Sequence, residues 1–228
     1  MKPRGLLITI DGPAGAGKST LAKLLAKELG YVYLDTGAMY RAVALAAHKR
    51  GLDLEDEEAL TRLCQELDLD LVPTEEGLKI ILNGEDVSQE IRTPLIDRLS
   101  SIVAQVAGVR QCLKERQRQI GRQGGVVAEG RDMGSHVFPE ADVKFFLTAS
   151  PEERARRRHE ELKRKGYTVS YEETLREVIE RDKRDQEREV APLVVPPGAI
   201  VIDSSSLSPE EILESMLAKI REQEQKAS

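Results

Sequence analysis

A chain of 228 residues, 40% hydrophobic and 32% charged, has the composition of a globular protein able to bury a sizeable core. Its net charge of −6 argues against a general nucleic-acid surface, so any anion site has to be a local cluster of arginine and lysine. No apolar run approaches the roughly 18 residues of a spanning helix, and the first, Leu6 to Ile10, stops at Asp11, too soon for the core of a signal peptide.

That first run reads as a strand. It leads into Gly12-Pro13-Ala14-Gly15-Ala16-Gly17-Lys18-Ser19-Thr20, and Lys18 to Leu29 reads as a helix closed by Gly30 in the left-handed C-terminal position. Strand, G-x-x-x-x-G-K-S turn and helix together form the context of a phosphate-binding loop. Glycines let backbone N–H groups converge on an anion, and the helix N-terminus adds partial positive charge. Lys18 is expected to reach the β and γ phosphates of a nucleoside triphosphate, and the Ser19 hydroxyl to take Mg²⁺.

Tyr31 to Leu34 reads as a second strand. The segment Leu34-Asp35-Thr36-Gly37-Ala38-Met39-Tyr40-Arg41 offers a hydroxyl and a guanidinium at the helix start that follows. Cys64 and Cys112 lie in helical patterns without metal-ligand spacing and read as small buried hydrophobes of a reducing cytoplasm. His48, His136 and His159 are scattered and suggest neither a zinc site nor a His-based triad. Leu69 to Val87 breaks the α/β rhythm: Leu69–Val72, a turn around Pro73 to Gly77, Leu78 to Leu82, then Asn83-Gly84, a strong hairpin signal. We expect an inserted unit with boundaries near 67 and 105, dividing a core of residues 1–66 and 106–228.

Val126 to Ala128 reads as a strand and is followed by Gly130-Arg131-Asp132-Met133-Gly134, an Arg-Asp pair in a glycine-flanked loop where substrate contacts are expected. Val143 to Leu147 is the next strand. Three helices share one start signal, Ser150-Pro-Glu-Glu153, Ser170-Tyr-Glu-Glu173 and Ser208-Pro-Glu-Glu211, in which the serine caps and the glutamate reaches back. Behind the first, Arg154, Arg157 and Arg158 share one helix face. Among acidic neighbours this is either a solvated salt-bridged helix or a basic flap, about 150–169, that closes over a triphosphate. A helix from about Tyr171 to Val190 carries Arg181, Asp185 and Arg188 in one stripe, which spacing alone leaves divided between ligand binding and plain exposure. Ala199 to Ile202 is a last strand, and the polar C-terminal stretch is expected to fray. Strands alternating with helices imply a parallel sheet covered on both faces, with ligands at the carboxyl ends of its strands.

The phosphate loop, Leu34-Asp-Thr-Gly-Ala-Met-Tyr-Arg41, Gly130-Arg-Asp-Met-Gly134 and Arg181-Asp-Lys-Arg-Asp185 together resemble the bacterial cytidylate kinase family over nearly the whole chain, hairpin included. The resemblance implies a P-loop kinase fold: a five-stranded parallel sheet covered by helices, an antiparallel insertion in the monophosphate-binding domain, and a mobile helical lid. It implies transfer of the γ-phosphoryl group of ATP to CMP or dCMP with Mg²⁺, UMP being the alternative acceptor. By the same resemblance, Arg41 and Arg131 hold the acceptor phosphate with Thr36, and Tyr40 belongs to the acceptor-site segment. Ser101, Arg110, Asp132 and Arg188 read the cytosine, and Arg181 and Asp185 face the ribose. Arg154, Arg157 and Arg158 fall in the lid. Thr36 and Glu129 stand where serine and aspartate also occur in the family. The expected partners are small nucleotides, not nucleic acid or membrane, and the chain is expected to act as a cytoplasmic monomer. An Asn/Thr-Lys-x-Asp guanine signature and an Asp-x-x-Gly segment, which a regulatory GTPase would carry, do not occur.

Overall fold

A computed structural model describes residues 5–74 and 77–227. In chain order the first half contains β1 (Leu7–Asp11), α1 (Lys18–Leu29), β2 (Val32–Asp35), α2 (Thr36–Lys49), α3 (Glu57–Glu66), β3 (Leu69–Thr74), β4 (Gly77–Leu82) and β5 (Glu85–Asp86). There follow α4 (Pro94–Val103), α5 (Ala107–Gly121), β6 (Val126–Gly130), β7 (Val143–Thr148), α6 (Pro151–Arg164), α7 (Tyr171–Glu187), β8 (Ile200–Asp203) and α8 (Pro209–Ala227). A single π-turn, Met133–Val137, follows β6. No helix among the described residues is long and apolar enough to cross a membrane.

Five strands form a parallel sheet in the order β2-β6-β1-β7-β8, and β3, β4 and β5 form a separate antiparallel sheet. This is the expected architecture. The expected turn around residues 73–77 includes residues 75 and 76, which lie outside the described residues, whereas the Asn83-Gly84 turn is present with Asn83 at φ 50° and Gly84 at φ 85°. All five core strands run one residue or more past the apolar runs that announce them. Parallel pairing continues through Asp11↔Gly130, Asp35↔Glu129 and Thr148↔Asp203, because ladder hydrogen bonds join backbones and are indifferent to side-chain polarity. The extension places Asp11, Asp35 and Glu129 on the sheet itself, at its carboxyl edge.

The sheet separates two apolar cores. On one face Ile8, Ile10, Phe145 and Leu147 pack with Leu25 of α1 and Met216 of α8. On the other, Leu34, Val126 and Ala128 pack with Met39, Val43, Leu60, Leu113 and Phe138, and Ile80 and Leu82 of the hairpin join the same core. Full burial of each such side chain contributes about 1.5–3 kcal/mol. The hairpin is thereby anchored beside α2, on the side from which the acceptor-site residues come.

Local signals are kept with four corrections. Ser170 and Glu173 form a reciprocal capping box, and Ser208 and Glu211 exchange the same bonds. At Ser150 only the serine half forms, since the Glu153 carboxylate is taken by Arg156 and Arg157. The helix expected to reach Val190 ends at Glu187, and Arg188 turns to φ −62°, ψ 142°, so it leaves the expected stripe. The C-terminal stretch is helical through Ala227 rather than frayed. Cys64 is buried as expected, whereas Cys112 is only half-buried.

Candidate active site

The carboxyl ends of β1, β2, β6 and β7 each open into a segment that carries candidate residues, and the segment after β8 lines the neighbouring cleft, so one edge of the sheet gathers the site. At β1 the glycines are required by close approach. Gly12 has φ 144°, and a Cβ there would lie 2.0 Å from the Leu147 carbonyl oxygen of β7. Gly15, at φ 79°, would bring a Cβ to 3.0 Å from Cβ of Arg154, so the loop is sandwiched between β7 and α6. Gly17 caps α1 at φ 92°, a left-handed position that leaves the helix N-terminus bare of side chain. Lys18 Nζ donates to the Pro13 carbonyl at 2.7 Å, curling the loop over its own lysine. Burial, with Arg131 nearby, pulls the Lys18 ammonium down to about 7.

Behind the loop stands a carboxylate pair. The Glu129 carboxylate, with Ser19 near it, accepts the Tyr33 hydroxyl at 2.5 Å; burial and the neighbouring Asp35 raise its pKa. The Thr36 hydroxyl donates to the Glu129 carbonyl at 2.6 Å, so its proton is already committed to the backbone of the adjacent strand. Asp11 is buried and accepts from the backbone N–H groups of Met133 and Gly134 at 2.8 and 2.7 Å, which clips the Gly130–Gly134 segment to the phosphate loop. Burial pushes this carboxyl up to about 6. Asp11 was not among the expected site residues, and its role arises only from the pairing of β1 with β6.

The three arginines of α6 do not act as one face. Arg154 is buried, and each of its nitrogens has a partner: Nε donates to Ala149, Nη1 to Ala14 and Asp182, and Nη2 to Asp182 at 2.6 Å. Arg157 donates to Glu153 and to the carbonyl and hydroxyl of Ser204, on the rim of a cleft of about 450 Å³. That cleft is lined by Ala16, Gly17, Thr20, Leu21, Arg156 and the Ser204–Pro209 segment. Arg158 turns the other way, to Asp97 of α4 at 3.0 Å and Glu161 at 3.1 Å. Helix spacing placed them together; the strand that precedes them and the helices on either side pull them apart.

On the acceptor side every candidate arginine has a carboxylate. Arg41 pairs with Asp35 at 3.1 Å, while the other Asp35 oxygen caps α2 through the Ala38 N–H. Arg131 donates to Asp185 at 2.9 Å, and Arg181 pairs with Asp97 at 2.9 Å. Asp132 is buried between two guanidinium groups: Arg110 donates at 2.5 Å, and Arg188 lies at 3.6 Å while donating to the Ala191 carbonyl. The Tyr40 ring stacks under Arg110, its centroid 5.4 Å from the guanidinium carbon. Ser101 is buried and its hydroxyl accepts from Arg184 at 3.2 Å. Asp97, Asp182 and Arg184 were not anticipated. Asp182 and Arg184 lie in a dense run of charge, where the sequence offers no way to choose the charged groups that turn inward, and Asp97 stands among apolar residues of α4 with only Arg98 charged beside it.

Four buried donors in this group have no hydrogen-bond partner among the described residues: Nε of Arg41, Arg110 and Arg181, and Nη2 of Arg188. Unpaired buried donors are costly, and here all four belong to arginines singled out for an anionic or acceptor-rich ligand. Among the described residues no group of three or more His, Cys, Asp or Glu side chains is placed to hold a metal.

A family model described as cytidylate kinase matches residues 8–222. The chain is 53% identical to the cytidylate kinase of Carboxydothermus hydrogenoformans, over 92% of this chain and 95% of that protein. It is 50% identical to the cytidylate kinase of Geobacter sp. strain M21, over 97% and 95% of the two chains. The cytidylate kinase of Bacillus velezensis is 52% identical, over 93% and 95%.

Proposed function

The chain belongs to the cytidylate kinase family, and from that premise we propose that it transfers the γ-phosphoryl group of ATP to CMP or dCMP, giving ADP and CDP or dCDP. The observation that carries the choice of base is the buried Asp132 between Arg110 and Arg188, with donors to spare on both arginines. Cytosine presents one amino donor beside two acceptors, N3 and O2. The carboxylate accepts from the amino group, and the surplus guanidinium N–H groups serve the acceptors. Uracil has a carbonyl oxygen where cytosine has the amino group, so lone pairs would face Asp132 across a desolvated gap. An unpaired buried group costs about 1–3 kcal/mol, and this disfavours UMP.

The phosphate-loop N–H groups, the α1 N-terminus and Lys18 bind the triphosphate of ATP, with the cleft beside Arg157 open to the rest of that nucleotide. Arg41 and Arg131 bind the acceptor phosphate, releasing Asp35 and Asp185 to do so. Thr36 assists only by turning its hydroxyl away from the Glu129 carbonyl. Asp185, so released, and Arg181 face the ribose, and Ser101 completes the base pocket. Ser19, with Glu129 behind it, fits Mg²⁺, a cation bound by few protein oxygens and completed by phosphates and water. When bound it neutralises phosphate charge.

The acceptor is already an oxyanion, so no base has to remove a proton. The obstacle is repulsion between two polyanions, and catalysis is positioning and charge: in-line placement of the two nucleotides among Lys18, Arg41, Arg131 and the α6 arginines that remain free to turn. Arg154 contributes by holding the phosphate loop against α7 through Ala14 and Asp182, and Arg157 and Arg158 carry the mobile part of the lid. The residues about 67–105 are the monophosphate-binding unit. An ADP-release assay across CMP, dCMP, UMP, AMP, GMP and shikimate tests the proposal. Turnover is expected with CMP and dCMP first; a preference for a purine monophosphate or shikimate would overturn it.

A further inference from the structure

Asp97 is the one carboxylate on which arginines of two other helices converge in this site. It stands on α4, beside the hairpin, and its Oδ2 receives Arg158 Nη2 of α6 at 3.0 Å and Arg181 Nη1 of α7 at 2.9 Å. Arg41 is a third cation near enough to lower its pKa, which falls to about 2 against the opposing pull of burial. The contrast with Asp182 is informative. Asp182 binds an arginine whose every nitrogen has a partner and which is 3% exposed. Arg158 and Arg181 are 27% and 20% exposed, and Asp97 is 23% exposed. Arg181 is held by one edge, its Nε buried and unpartnered. Asp97 therefore binds cations at a partly exposed position rather than within a core, where exchanging one anion for another does not require opening the fold.

We propose that Asp97 is a stand-in anion, a positioning residue that gathers Arg158 and Arg181 in the free protein and is displaced from Arg158 when phosphate oxygens arrive, leaving Arg181 for the ribose. This rests on the proposed nucleotide site. A phosphate carries more charge and more acceptor oxygens than a carboxylate, so it wins Arg158. The carboxylate then opposes binding by competing for that guanidinium group and by repelling the polyanion. Meanwhile it keeps two arginines from different helices ordered and close to where they are needed, which lowers the cost of ordering them during closure.

Removing the negative charge should then tighten polyphosphate binding, the reverse of what losing an ordinary structural ion pair would do. The test is calorimetric titration of inorganic tripolyphosphate into the wild-type protein and into Asp97→Asn and Asp97→Glu. Asp97→Asn is expected to lower the dissociation constant about threefold to fivefold, the span of one partly exposed charge contact. Asp97→Glu, which keeps the charge, is expected to stay within about twofold of wild type by the same measure. Unchanged or weaker binding by folded Asp97→Asn, or tightening by Asp97→Glu as well, overturns the proposal. Asp97→Ser serves as a second neutral variant, with the same tightening expected. If neither neutral variant folds, Asp97 is a structural tie and the proposal fails. Absence of tripolyphosphate and ATP binding by the wild type is a different failure, of the nucleotide site itself.

Discussion

In the proposed function the phosphate loop and the acceptor pocket solve the same problem, binding a polyanion, by opposite means. The loop is one contiguous segment whose recognition groups are backbone N–H donors, fixed by three left-handed or close-packed glycines and one short lysine contact. The acceptor pocket has no such segment. Its arginines come from α2, α5, the loop after β6, and α7 with the residue beyond it, and every one is neutralised by a carboxylate of another turn or element. A backbone cradle is specific for charge and indifferent to the rest of the ligand. A shell of side chains can tell one base from another, but it has to be kept folded by counter-charges while the ligand is away.

The sharpest way to test this division is to disable the loop alone. Lys18→Ala is expected to lower kcat on the order of a thousandfold, the upper range for removing one preorganised donor, with the ratio of CMP to UMP use unchanged. Steady-state kinetics with both acceptors checks it. A changed ratio would mean that the two halves are not separable.

Within the side-chain half, Arg154 and Arg158 divide structural from functional charge. Arg154→Ala strands the Asp182 partnership and two backbone contacts, and should cost about 3 kcal/mol or more of stability. Arg158→Ala, partly exposed, should cost under about 1 kcal/mol while depressing turnover and ATP affinity more than CMP affinity. Urea unfolding of both variants decides the matter, since equal destabilisation would erase the distinction.

Selectivity is a smaller effect. Asp132→Asn keeps the shape between Arg110 and Arg188 but replaces an acceptor-only group by one that also donates. The kcat/KM for CMP should fall about tenfold to a hundredfold, and the preference over UMP should narrow. A preserved preference would remove Asp132 from base reading.

The smallest expected signal is a proton. Burial holds Lys18 down to about 7, so near pH 8.5 the free protein's amine is largely neutral, while a bound polyanion favours the ammonium. ATP binding should therefore take up a fraction of a proton at pH 8.5 and progressively less as pH falls below 7, where the lysine is already charged. Calorimetry in buffers of different ionisation heat measures this, and Lys18→Met should remove it. An uptake that persists in Lys18→Met would assign the proton elsewhere.

The sequence by itself determined what neighbours along the chain decide. The G-x-x-x-x-G-K-S turn between an apolar run and a helix, the Asn83-Gly84 hairpin, two of the three reciprocal serine-glutamate caps and the five core strands follow from periodicity, glycine conformation and local hydrogen bonding, and all are present. The family pattern named the arginines on which the proposed site rests, although their spacing left them ambiguous. Only the tertiary structure decided which carboxylate each arginine faces. Arg158 meets Asp97 across 61 residues, Arg131 meets Asp185 across 54, and Asp11 holds the Met133 and Gly134 amides across 122 and 123. A guanidinium has five donors and a long stem, and several carboxylates lie within a few positions of it along either helix. The one it keeps is set by where packing of the two cores places the helices, which no local pattern of charge records.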